Sequence, residues 1–282
     1  MTTINTREEL RIFLEGERNE AREIGLVPTM GALHEGHLSL IERAVQENDR
    51  VIVSIFVNPT QFNNPEDLEK YPQNLQADLD ILKTFLPKVV VFAPAIEEVY
   101  AGQVKALDYD LGGLDQVMEG AYREGHFQGV ATIVETLLRL TSPDRAYFGE
   151  KDYQQLQIIK KLVKDKGLEV TICPCPIVRE PNGLAMSSRN TRLPKRLRER
   201  AGIIYQTLQS ARQQFGTESV SKIMDWVQEV FSNEADFELE YFSIADANTL
   251  IPINTKNENQ EYRAFIAVYA GDIRLIDNLA LN

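Results

Sequence analysis

The chain has 282 residues, 43% hydrophobic and 26% charged, with 30 Lys+Arg against 42 Asp+Glu and a formal net charge of −12. That length buries a sizeable core in one large domain or two modest ones, which excludes a disordered chain and a small disulfide-stapled scaffold. The acidic surplus leaves little basic face for a long nucleic acid, and no stretch approaches the roughly eighteen apolar residues of a membrane span.

From the N-terminus, the first thirty residues lack the apolar core of a signal peptide, so the expected location is the cytoplasm. Apolar runs bounded by turn signals at 23–29 (EIGLVPT), 51–57 (VIVSIFV), 89–93 (VVVFA), 146–149 (AYFG) and 169–178 (EVTICPCPIV) predict buried parallel strands. Between them lie helical stripes: Val130, Ile133, Val134, Leu137 and Leu138 in one segment, Leu156, Ile159 and Val163 in the next. This alternation predicts a doubly wound α/β domain that binds ligands at the carboxyl ends of its strands. Cys173 and Cys175, the two cysteines of the chain, are too close for a bridge across a strand and lack a second pair for zinc. They read as buried strand residues.

After Arg189 the character changes. A basic helix is expected from about Pro194 and a second over residues 219–232. Two alternating strands follow, one placing Phe237, Leu239 and Tyr241 on a single face, the other Ala264, Ile266 and Val268. A smaller α+β domain is therefore expected, and the turn chemistry of REPNG sets the division into residues 1–178 and 179–282.

The chemistry begins in PTMGALHEGHLSLIERA (28–44), a strand end that passes through a glycine turn into a helix. Backbone N–H groups at a helix start, with His34 and His37 on one side and Gly36 leaving room between them, suit a phosphate and a nucleobase; a helix cap or a satisfied core group is the other reading of a histidine at such a place. The spacing of HEGH is i, i+3, which excludes the i, i+4 geometry of the HExxH zinc proteases. All three histidines, the third being His126, fall in glycine-flanked segments that read as strand-end loops. In SIFVNPTQF (54–62) a strand runs into Asn58, Pro59 and Gln61, whose amides can hydrogen-bond a small hydroxylated acid without carrying charge. An ordinary Asn-Pro turn is the other reading of this segment. AYFGEKDYQQLQII sets Lys151 and Asp152 after Gly149, with Gln155 one turn on. Lys suits phosphate oxygens, and Asp suits either a divalent ion or a helix cap. In REPNGLAMSSRNTRL, Ser187, Ser188 and Arg189 follow Met186 and make a compact donor set for a polyphosphate.

These segments, PTMGALHEGH, FVNPTQF, REGHFQGVATIV, FGEKDYQQL, AMSSRN and the terminal RLIDNL, resemble in order and over nearly the whole chain the pantothenate synthetase (pantoate–β-alanine ligase) family. The resemblance implies a Rossmann-like fold of the nucleotidylyl transferase type, in which HxGH corresponds to the HIGH motif of class I aminoacyl-tRNA synthetases. It also implies a homodimer that joins (R)-pantoate to β-alanine with ATP and Mg²⁺. Carried over by position, the implied ATP site is Met30, Gly31, Ala32, Leu33, His34, Glu35, Gly36, His37, Gly149, Glu150, Lys151, Asp152, Val178, Met186, Ser187, Ser188 and Arg189. Of these, His34, His37, Lys151 and Arg189 are the implied catalytic group. Gln61 and Gln155 match pantoate contacts, and Asn58 joins them as a substrate residue. Thr191 and Arg192 depart from the family's pattern after Asn190, and 193–198 is unusually basic. No GxxxxGK[ST] loop is present, so the kinase activity fused to some relatives is not expected.

The implied chemistry runs in two steps. The pantoate carboxylate attacks the α-phosphorus of ATP, giving pantoyl adenylate and pyrophosphate, and the β-alanine amine then displaces AMP. The first step calls for alignment and charge neutralisation rather than a base. The second calls for exclusion of water, for which the polar, proline-rich 58–74 segment is a candidate lid. A relative that moves a nucleotidyl group onto a phosphorylated acceptor would need a second cationic cluster, whereas Gln61 and Gln155 are neutral.

Overall fold

Uninterrupted aliphatic runs such as Val51, Ile52 and Val53 can be buried on both faces only in a parallel sheet with helices on each side. The computed structural model, which describes residues 2–100 and 102–282, has such a sheet. Strands β1 (Thr3–Ile4), β2 (Ile24–Thr29), β3 (Arg50–Ile55), β4 (Val89–Phe92), β5 (Arg145–Gly149) and β6 (Thr171–Cys175) pair in parallel in the order β1-β4-β3-β2-β5-β6. Its helices are α1 (Arg7–Asn19), α2 (Glu35–Glu47), α3 (Pro65–Glu69), α4 (Leu75–Leu82), α5 (Ile96–Val99), α7 (His126–Thr141) and most of α8 (Tyr153–Asp165), while α6 (Met118–Tyr122) packs elsewhere. The five strands expected from the apolar runs are β2 to β6. The sixth, β1, is two residues long and carries no periodicity to read.

The winding direction reverses at β2: the chain steps outward through β3 and β4, then crosses to β5 on the other side. Register runs with β3 from Ile24↔Arg50 to Thr29↔Ile55, but with β5 at Gly25↔Arg145 and Leu26↔Ala146. The carboxyl ends of β2 and β5 are thus the topological switch point, where open α/β sheets bind ligands. Cys173 and Cys175 are free, buried residues of β6. They join Val27, Ile41, Val51, Val53 and Val91 in one core cluster.

Residues Met1–Gly112, Arg123–Glu150 and Gln155–Pro176 make up this first compact unit. A second comprises Gly113–Tyr122, Lys151–Gln154 and Ile177–Asn282. It contains helices α9 (Lys195–Arg200), α10 (Ile203–Phe215) and α11 (Val220–Ser232), and an antiparallel sheet of β7 (Phe237–Asp246), β8 (Tyr262–Ala270) and β9 (Ile273–Ala280) in that order. Ala264, Ile266 and Val268 share the main core of this unit, as their alternation predicts. The single face expected for Phe237, Leu239 and Tyr241 is corrected: a bulge lies between Leu239 and Tyr241, and past it Phe242 and Ile244 enter the main core. Tyr241 packs instead with Met118, Leu250 and Phe265. One extra residue reverses which side chains face inward. The basic stretch at 193–198 belongs to ion pairs, Arg196 with Asp236 at 2.6 Å and Arg198 with Glu180 at 2.8 Å.

Candidate active site

Strand β2 ends at Thr29, and the chain turns because Gly31 (φ 78°) and Ala32 (φ 50°) both adopt left-handed backbone. For Ala32 that conformation costs about 1–2 kcal/mol. Asp78, only 3% exposed on α4, offsets the cost, its Oδ2 accepting from the Ala32 N–H at 3.0 Å and its Oδ1 from the Leu33 N–H at 2.7 Å. Burial pushes the Asp78 carboxyl up from its ordinary value, with the two amides pulling the other way. A Cβ on Gly31 would stand 2.9 Å from Asp78 Oδ2, so glycine is required by both space and φ. Asp78 is invisible as a site residue in the sequence, since a lone acid on a helix carries no motif.

The turn delivers His34 as the N-cap of α2. His34 Nδ1 accepts from the Gly36 N–H at 3.1 Å, and His37 Nδ1 accepts from the His34 N–H at 3.3 Å, a capping box built from two imidazoles. Their ring centroids lie 4.0 Å apart. With Nδ1 an acceptor, each neutral ring carries its proton on Nε2. The His34 and Gly36 amides are thus taken up by the rings, and the donors this helix start turns outward from them are the two imidazole N–H groups. Glu35, the first helical residue, is exposed.

Past β3, Asn58 is fully buried and precedes a 3₁₀ turn, Pro59–Gln61. Its Oδ1 accepts from Tyr100 OH and from Thr60 Oγ1, while its Nδ2 donates to Gln61 Oε1 at 3.2 Å and to the Gly129 carbonyl at 3.1 Å. Gln61 Nε2 in turn donates to Met30 Sδ at 2.8 Å. The structure thus joins Met30, Asn58 and Gln61. His126, expected in a strand-end loop, is instead the first residue of α7, after Gly125 in the left-handed region (φ 74°). Arg123 donates to its Nε2 at 3.0 Å, which leaves the proton on Nδ1 to be donated to the Gln61 carbonyl at 2.7 Å. The 58–74 segment is not featureless, since α3 lies within it and Tyr71 packs edge-on against Phe62. Gly149 ends β5, Glu150 follows, and Gln155 lies half-buried in α8.

The other candidate residues belong to the second unit. Lys151 and Asp152 lie in the 3₁₀ turn Glu150–Asp152, Lys151 Nζ 3.4 Å from Asp152 Oδ1. Val178 accepts from the Met186 N–H at 3.0 Å, beside the Arg179↔Ala185 bridge, so a short ribbon presents Ser187, Ser188 and Arg189. Ser187 caps the following 3₁₀ turn through the Arg189 N–H. Asn190, 2% exposed, fixes this loop by donating to Glu180 at 2.8 Å and to the Ala185 carbonyl at 3.0 Å. Sequence reasoning passes over Asn190 because its partner acid lies ten residues upstream.

The family model for pantoate–β-alanine ligase matches residues 2–280. The chain belongs to the pantoate–β-alanine ligase family. Among its relatives, the pantothenate synthetase of Christiangramia forsetii is 54% identical over 94% of each chain. That of Flavobacterium psychrophilum is 48% identical over the full length of both. The crystal structure of pantothenate synthetase from Thermus thermophilus superposes with a TM-score of 0.91 at 41% identity, covering 100% of this chain and 99% of that one. The pantoate–β-alanine ligase of Francisella tularensis, described as complexed with β,γ-ATP and β-alanine, has a TM-score of 0.81 at 38% identity and covers 100% and 98%. These likenesses extend over both units, and the six-stranded parallel sheet with its smaller antiparallel sheet is the fold they share.

Proposed function

We propose that this chain joins pantoate to β-alanine, with ATP as the energy source, to form pantothenate through a pantoyl adenylate. Membership of the family supports the reaction, and the ATP complex of the Francisella enzyme supports the nucleotide. The observation that carries the reading to residues is the double imidazole cap of α2, the helix that follows β2, the strand at which the winding of the sheet reverses. His34 and His37, with Met30, Gly31, Ala32, Leu33, Glu35, Gly36, Gly149 and Glu150, form the nucleotide surface of the first unit. Lys151, Ser187, Ser188 and Arg189 are assigned to the phosphates, with Val178 and Met186 lining the nucleotide. Gln61 and Gln155 take the pantoate oxygens, and Asn58 serves them by orienting Gln61. Mg²⁺ at nucleotide sites is held by phosphate oxygens and one or two carboxylates. The Asp152 carboxylate, 45% exposed, is of that kind.

The first step needs no general base, because pantoate arrives as a carboxylate. The residues align it in line with the leaving pyrophosphate and neutralise charge growing on the phosphates. The second step needs the neutral amine of β-alanine and a closed site, for which residues 58–74 are the proposed lid. The proposed domains remain residues 1–178 and 179–282. A cytoplasmic homodimer completes the reading. Its support is family resemblance.

The test is exchange of labelled pyrophosphate into ATP. Pantoate alone should support it, and AMP release should require β-alanine as well. Exchange that appears only when β-alanine is added would refute the discrete adenylate, and AMP release indifferent to pantoate would refute the substrate.

A further inference from the structure

The last strand carries two consecutive polar residues, Asp277 and Asn278, that are 4% and 2% exposed. Buried polar groups need partners, and theirs lead to one place. Asp277 receives both Arg179 guanidinium nitrogens, Nη1 at 2.5 Å and Nη2 at 3.0 Å, and Arg179 stacks over the Tyr205 ring at 3.6 Å. Asp277 Oδ1 also accepts from the Asn278 N–H at 2.8 Å, fixing the backbone of its neighbour. The Asn278 side chain is oriented in turn, since its Oδ1 accepts from Arg263. That guanidinium lies over the Tyr153 ring at 3.9 Å. With the amide oxygen so occupied, Nδ2 donates to the backbone carbonyl of Lys151 at 2.8 Å. Asn278 pairs with Phe265 in the β8–β9 ladder, and while its Oδ1 is held by Arg263 of β8, its Nδ2 reaches out of the sheet to the turn Glu150–Asp152. All these groups lie in the second unit.

We propose that Asn278 is a positioning residue for Lys151. It holds the peptide plane that leaves Lys151, while Arg263 over Tyr153 holds the start of α8 just after the turn. This fixes the direction in which the Lys151 side chain departs. The inference rests on the phosphate role proposed above for Lys151. A lysine ammonium on a flexible stem is worth most to a transition state when its backbone origin is fixed, because misplacement by about 1 Å removes much of the benefit of a positioned group.

The experiment is a double-mutant cycle on the full chain, reading single-turnover formation of pantoyl adenylate at saturating ATP and pantoate, with thermal melts of every variant. Asn278→Ala should slow adenylate formation about tenfold in the otherwise unchanged protein and alter the rate by less than about twofold in a Lys151→Ala background. Asn278→Asp keeps the shape and the Arg263 contact but cannot donate to the carbonyl, so it should be slowed in the same way and serves if the alanine variant fails to fold. An equal loss in both backgrounds, or a wild-type rate in a folded Asn278 variant, would overturn the inference. A wild-type rate in Lys151→Ala would overturn the role of Lys151 itself, a separate outcome because it shows in the single variant.

Discussion

Helix α7 meets the Pro59–Gln61 turn at Gly129, and replacing that glycine by alanine perturbs the site through backbone alone. A Cβ there would stand 2.2 Å from the Thr60 carbonyl oxygen, 2.4 Å from its carbon and 2.6 Å from the Gln61 nitrogen. Ordinary contact begins near 3.4 Å, so turn and helix must separate by 3.4 − 2.2 = 1.2 Å. The separation strains the 3.1 Å bond from Asn58 to the Gly129 carbonyl and the 2.7 Å bond from His126 to the Gln61 carbonyl, the two ties that hold Gln61 to α7. Overpacking costs about 1–3 kcal/mol, of which the better helix propensity of alanine returns about 1 kcal/mol. A fall in melting temperature of a few degrees follows for a chain of this length. The kinetic effect should be larger than the stability effect, because about 1 Å of displacement at a positioning residue costs on the order of 10²-fold in rate. Pyrophosphate exchange with pantoate, beside circular-dichroism melts, reads both quantities. A Gly129→Ala protein with wild-type exchange would show that Gln61 is not held by α7, and would refute the positioning argument.

Gln61→Ala and Gln155→Ala should each remove roughly 1–3 kcal/mol, seen as a raised KM for pantoate; a defect confined to ATP in steady-state kinetics would contradict the assignment. His37→Ala should slow adenylate formation by about 10²–10³-fold at saturating ATP, as loss of one oriented donor does in a preorganised site. A wild-type single-turnover rate would remove His37 from the catalytic group. Asp78→Asn turns one of the two acceptors toward a backbone N–H as a second donor and should cost about 1–3 kcal/mol. Because burial raises the Asp78 pKa in the fold, its protonation favours folding. That contribution is fully present below the unfolded value of 3.8 and is lost as pH rises through the higher folded value. The stability of wild type over Asp78→Asn in urea melts should therefore narrow from acid to neutral pH, and a gap that widens would refute the sign.

Strands β2 to β6 are legible because a strand buried on both faces must be apolar throughout, and a run such as Val51 to Val53 permits little else. The cap of α2 is legible because HEGH is local, with donor and acceptor within three residues. What cannot be read depends on contacts distant in sequence. Asp78 supports a loop 45 and 46 residues upstream, and Tyr100 reaches Asn58 across 42. His126 stands out as unusual, yet its role follows from a carbonyl 65 residues away. Tyr241 falls in a different cluster from the expected one for another reason. A bulge adds one residue to the period of two, and nothing in FELEYFSI marks where it falls.

The first unit's share of the candidate site contains no Lys or Arg: besides Glu35 and Glu150 its proposed residues are uncharged side chains, glycines and two imidazoles. His34 and His37 present Nε2–H donors, Met30, Asn58 and Gln61 form one uncharged network, and the buried acid, Asp78, is turned onto backbone amides. A nucleophilic carboxylate explains why that is useful. A guanidinium paired with pantoate would stabilise the ground state and be given up as the oxygen attacks phosphorus, so it would aid binding and hinder the chemical step. Amide donors, the role proposed for Gln61 and Gln155, would hold the hydroxyls and leave the carboxylate its electron density. Positive charge is better placed where negative charge accumulates, on the phosphates and the leaving pyrophosphate, the role proposed for Lys151 and Arg189. On these proposed roles, an acidic protein with a net charge of −12 handles two anionic substrates by restricting cations to the atoms whose charge grows.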